Sequence, residues 1–91
     1  MKLGEMAQLF DHIKSIYPKF MDNRKNGDEI RRSIKAWHSL CKNISYSDGI
    51  KIINKHASTS RYEPTISDVH THFNSDPSMQ PEYLKEGELY E

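Results

Sequence analysis

The side chains most able to do chemistry in this sequence are its five histidines and its one cysteine. Asp68, His70 and His72 stand at intervals of two, a spacing that suits metal ligands on a strand. The stretch reads as helix, however, where residues two apart point about 200° away from each other and cannot share one ion. Zinc sites want three or four convergent Cys, His or carboxylate ligands, and nothing nearby completes such a set. No metal is expected. His38 and Cys41 are three apart on a helical pattern, so they could touch. A thiolate nucleophile also needs an orienting third group and a cleft. Cys41 instead falls in an apolar stripe, where a thiol behaves as a small hydrophobe. The four glycines (Gly4, Gly27, Gly49, Gly87) are isolated, so no phosphate-cradling loop exists, and no hydrolase or metalloprotease motif is present. A substrate pocket would consume most of the core that 91 residues can build. The chain is therefore expected to be neither an enzyme nor a cofactor carrier.

Charge offers more. Arg31, Lys35 and Lys42 fall within about 40° of one another on a helical wheel, a basic stripe with Arg24, Lys25 and Arg32 nearby. Such a stripe can be a solvated face, meet an acidic protein surface, or meet nucleic acid. Lys plus Arg and Asp plus Glu both number 13, and this zero balance argues against a general nucleic-acid binder. A third helix would offer Lys51, Asn54 and Lys55 to a DNA groove, a thin set for base readout. Direct nucleic-acid binding is disfavoured; a small DNA-binding regulator remains the alternative. The zero average also hides an asymmetry. Residues 1–73 carry 12 basic and 8 acidic groups, a net of +4, and residues 74–91 carry one basic and five acidic groups, a net of −4. Within that acidic stretch stand two apolar pairs, Tyr83-Leu84 and Leu89-Tyr90, flanked by Glu86 and Glu88. Acidic segments with a few aromatic and leucine anchors often fold on a partner.

The elements that must position these groups follow from apolar spacing. Leu3, Met6, Leu9, Phe10, Ile13, Ile16 and Tyr17 recur at helical intervals until Pro18 stops the pattern. Asn26-Gly27 signals a turn, and Asp28 is a candidate N-cap for a second helix over about 28–44. There Ile30, Ile34, Trp37, Cys41 and Ile44 share one face with Leu40 beside them. Ser47 is a candidate cap for a third helix, in which Tyr46, Ile50, Ile53 and Ala57 align while Ile52 points the other way, to be covered by a fourth element or left as surface apolar area. Glu63-Pro64 ends that run. Thr65-Ile66-Ser67-Asp68 has capping-box spacing and opens a short fourth helix to about Phe73. From Asn74 onward Pro77 and Pro81 are expected to forbid regular structure. The sequence thus predicts an all-α fold: a small bundle of three to four short helices over residues 1–73, then a flexible, acidic, partner-binding tail over 74–91. A single cysteine allows no internal disulfide, no leader-like apolar run opens the chain, and nothing approaches a membrane span, so a cytoplasmic monomer is expected.

Three pieces in fixed order carry a family resemblance: Ile16-Tyr17-Pro18-Lys19-Phe20, then Trp37-His38-Ser39-Leu40, then Ser60-Arg61-Tyr62-Glu63-Pro64-Thr65-Ile66-Ser67-Asp68-Val69, with Tyr46 ahead of the third helix. Over about residues 5–72 the chain resembles the bacteriophage helicase loader and inhibitor family, whose members hold a DnaB-type replicative hexameric helicase during initiation. As fold markers, Tyr17-Pro18 ends a helix while Phe20 tucks in, Trp37 is a hub, and Pro64 to Asp68 stops one helix and caps the next. Phe10, Tyr17, Phe20, Trp37, Leu40, Ile53, Pro64 and Ile66 are the expected core. The resemblance implies that the tail (Tyr83, Leu84, Glu86, Glu88, Leu89, Tyr90) docks on the helicase; the charge stripe Arg31, Lys35 and Lys42 is, by its spacing, a candidate second surface. A phage origin-binding protein or the host helicase loader would be a further partner. At about 18 residues, the tail is shorter than those of the family.

Overall fold

A computed structural model of the protein describes residues 1–22 and 26–79. Arg24, Lys25 and the tail residues Tyr83, Leu84, Glu86, Glu88, Leu89 and Tyr90 lie outside the described residues. Within them the fold is all-α, with four helices: α1 (Leu3–Ile16), α2 (Gly27–Leu40), α3 (Tyr46–Thr59) and α4 (Ile66–Ser75), followed by a 3-10 turn over Pro77–Met79.

Each helix begins at a side chain able to hold an orphan backbone N–H. In α1 the Glu5 carboxylate accepts the Lys2 N–H at 2.7 Å. The N-cap of α2 is Asn26, whose side-chain oxygen accepts the Glu29 N–H at 2.9 Å, so Asp28 sits inside the first turn, where its charge suits the dipole. The cap of α3 is Ser45 rather than Ser47: Ser45 Oγ accepts the Asp48 N–H at 3.1 Å. The second helix is also shorter than expected: it ends at Leu40, and the chain turns through Cys41–Ile44, the Ile44 N–H donating to the Cys41 carbonyl at 3.1 Å, before Ser45 opens α3. Thr65 and Asp68 form the capping box of α4, with reciprocal bonds of 3.2 and 2.9 Å.

The helices alternate in direction. The start of α1 meets the end of α2, where the Met1 amino group donates to the Ile44 carbonyl at 3.0 Å. The ends of α1 and α3 meet through Tyr17 and Ser60, so these two helices run side by side in parallel. Their starts meet at Gly49, a buried glycine whose missing Cβ would stand 3.2 Å from the Met1 side chain and 3.3 Å from that of Leu9. α2 packs on α1, and α4 turns back over α3. The core between them holds Met6, Leu9, Phe10, Ile13, Phe20, Trp37, Cys41, Ile44, Ile52, Ile53 and Val69. Trp37 is its hub: Phe10 and Phe20 meet it edge-on at ring distances of 5.3 and 6.0 Å, and each other at 5.2 Å. Pro64 is buried, and Tyr17 and Ile66 pack partly buried against the cluster.

Several expectations change. Leu40 is 56% exposed and does not belong to the core. It sits at the edge of the apolar face of α2, a helix that packs mainly on α1, so no element among the described residues covers that edge. For Ile52 the first of the two open alternatives holds: it is as buried as Ile53, because α3 lies between α1 and α4 and needs two apolar sides. Pro77 does not forbid regular structure. α4 runs to Ser75, and Pro77 opens the 3-10 turn, a position whose missing N–H costs nothing. The Asp76 carboxylate holds that turn, accepting from Ser78 N and Oγ at 3.0 and 2.7 Å, and Met79 packs against the core. Met21 closes the Tyr17–Asp22 turn with φ of 65°, a left-handed conformation rare outside glycine, while its side chain packs on the core.

Candidate functional site

Histidine chemistry resolves into packing. On α4, Asp68 turns to Thr65, whose backbone hydrogen bond holds its carboxyl below the ordinary aspartate value, with the nearby His56 and His72 adding to the effect. His72 packs edge-on against His56 at 5.6 Å. His56 is buried, and its Nε2 lies 2.9 Å from the Tyr62 carbonyl; a carbonyl only accepts, so Nε2 carries a proton. His38 reaches not Cys41 but the Met1 carbonyl, at 2.9 Å. Cys41 is buried, and burial pushes its thiol up, away from the thiolate form. Among the described residues no group of three or more His, Cys, Asp or Glu is placed to hold a metal ion.

Two surface grooves bring functional candidates together. The first, about 280 Å³, lies between α1 and α2 and is lined by Leu3, Gly4, Ala7 and Ile34, with Arg31 and Lys35 at its side. Its floor is apolar because Leu3, at the start of α1, is covered by no element among the described residues and stays 43% exposed. Its rim is basic because Arg31 and Lys35 are one helical turn apart. Lys42 is not part of this rim; α2 ends two residues before it, so the expected three-residue stripe is broken. Arg31 also meets Asp28 at 3.0 Å, in a pair where both side chains are largely exposed. Such a pair is worth little and is easily exchanged for another acid.

The second groove, about 510 Å³, joins Ile16, Tyr17, Pro18 and Lys19 to Arg61, Tyr62 and Glu63. Two of the sequence pieces quoted above, 46 positions apart at Ile16 and Tyr62, thus become one surface. Ile16 is 37% and Tyr62 is 69% exposed, with the Arg61 guanidinium 5.4 Å from the Tyr62 ring centre. The sequence placed Leu3 and Ile16 among the apolar positions of an amphipathic helix, named Tyr62 only within a family-resemblance piece, and did not single out His56. The helical period marks the side of α1 that faces inward but not how far its neighbours extend.

Fold and surface together define a small all-α module with open, charge-framed grooves. The chain belongs to the family of the N-terminal domain of the phage SPP1 helicase loader, whose model matches residues 1–70, and so is of the phage helicase-loader type. No curated protein and no solved structure matches the chain. No helix among the described residues is long and apolar enough to cross a membrane.

Proposed function

We propose that the protein acts by stoichiometric binding, without catalysing a reaction of its own, on a replicative hexameric helicase in the host cytoplasm. The observation that carries this reading is the family match over the helical body. The chemistry of the tail supports it too: Tyr83, Leu84, Leu89 and Tyr90 would supply apolar affinity, while Glu86 and Glu88 steer and orient. By binding one helicase conformation better than another, the protein would lower ATPase and unwinding until a second replication protein displaces it. An origin-binding phage protein or the host helicase loader is the partner class for that handover.

The test is to add the protein to purified helicase and follow ATP hydrolysis and complex formation by size exclusion. The reading expects a stoichiometric complex and a slowed rate. A full-length protein that neither binds nor changes the rate would sink it. Deleting residues 80–91 should abolish the effect. The deletion starts at Gln80 because Met79 packs against the core.

A further inference from the structure

We propose that the α1–α2 groove is a docking site for the chain's own acidic segment, with the Leu89-Tyr90 pair on the apolar floor and Glu88 and Glu91 facing Arg31 and Lys35. The groove and the segment match in both kind and size. The floor offers Leu3, Gly4, Ala7 and Ile34, and a Cβ built on Gly4 meets nothing within 4 Å, so the floor is open to an incoming side chain. Lys35 is exposed and forms no ion pair among the described residues, and Arg31 holds only the exchangeable Asp28. Opposite net charges of +4 and −4 on residues 1–73 and 74–91 favour the approach.

Chain length favours the distal pair. Among the main helix contacts α4 touches α3, α3 touches α1 and α1 touches α2, so with neighbouring axes about 8–10 Å apart the groove lies about two helix steps from α4, up to roughly 20–30 Å. At about 3.3 Å per residue beyond Met79, Tyr83-Leu84 reaches only about 13–17 Å, whereas Leu89-Tyr90 reaches about 33–36 Å. The short tether supplies an effective concentration on the order of millimolar, so a weak contact suffices. The contact stands whether or not the helicase reading does. If both hold, the docked segment is withheld from the partner, and a segment docked half the time weakens apparent affinity about twofold.

The experiment uses the full chain with a nitroxide on Gly87→Cys in a Cys41→Ala background, without any helicase. Amides of Leu3, Gly4, Ala7 and Ile34 should broaden selectively. The broadening should fall away near 1 M salt, where screening acts within about 3 Å, and with Leu89→Ala plus Tyr90→Ala. Uniform weak broadening over the whole body would overturn the proposal. So would broadening seen only between labelled and unlabelled molecules in a mixture, which would assign the groove to a second copy. As a measurement that leaves Cys41 in place, amide shifts of the unlabelled chain are compared with those of the Leu89→Ala/Tyr90→Ala variant. Differences centred on the groove support the contact, and their absence there overturns it.

Discussion

The Tyr17 hydroxyl donates to the Ser60 carbonyl at 2.7 Å, tying the end of α1 to the end of α3 across 43 positions of sequence. Burial raises the Tyr17 phenol above its ordinary value of 10.0, in keeping with a neutral donor. Tyr17→Phe keeps the ring and removes the bond. The expected loss is about 1 kcal/mol, read as a lower urea midpoint at unchanged slope. An unchanged midpoint would mean that water replaces the tyrosine at Ser60 without cost.

The Phe10–Phe20–Trp37 cluster carries a larger share of stability. Trp37→Ala or Phe20→Ala should each cost about 3–5 kcal/mol, a large part of the roughly 5–14 kcal/mol expected for a domain of this length. Loss of a cooperative melt by circular dichroism is the expected outcome. Leu40→Ala, one helical turn from Trp37 but exposed, should stay within about 0.5 kcal/mol of the parent. A severe loss there would show that Leu40 is covered in solution.

Most of the fold is legible in the residues, because local rules and tertiary packing agree. Pro18 stops α1, Thr65 and Asp68 open α4, and Trp37 has a volume that only a core centre can take. The departures have two causes, one local and one tertiary. Asp28 and Ser47 are plausible caps in isolation, but Asn26 and Ser45 each stand three residues before the N–H they hold. Leu40, expected in the core, and Ile52, left open between cover by a fourth element and exposure, differ not in their own chemistry but in what packs beside them, which no single-helix period reports. The α1–α2 groove is half legible: Arg31 and Lys35 stand out as a charge pair, while Leu3 is hidden among the apolar positions of α1.

Asp68 makes the acid limb of stability predictable. Its folded value is held below 3.8, chiefly by the Thr65 backbone hydrogen bond, so the unfolded chain takes up a proton first as pH falls. The stabilisation is present above the unfolded value and is lost as pH drops through the folded one. Asp68→Asn should cost about 1 kcal/mol at neutral pH. That difference should shrink below about pH 4 as the parent carboxyl protonates. A gap between parent and variant that stays constant down to about pH 3 would remove the carboxylate from this role.

Where the tail is cut decides what a truncation reports. Met79 packs partly buried against the core, held by the turn in which Asp76 accepts from Ser78. A deletion of residues 76–91 removes that side chain and the turn together. Partial loss of a methionine burial worth about 1.5–3 kcal/mol when complete should cost about 1 kcal/mol, or a melting shift of roughly 4–8 °C for a domain of this size. A deletion of residues 80–91 leaves Met79 in place and should melt close to the parent. If the two truncations melt alike, Met79 adds nothing to the body. If only the longer deletion melts low, a helicase-binding defect in the shorter one is a property of the tail and not of a loosened bundle.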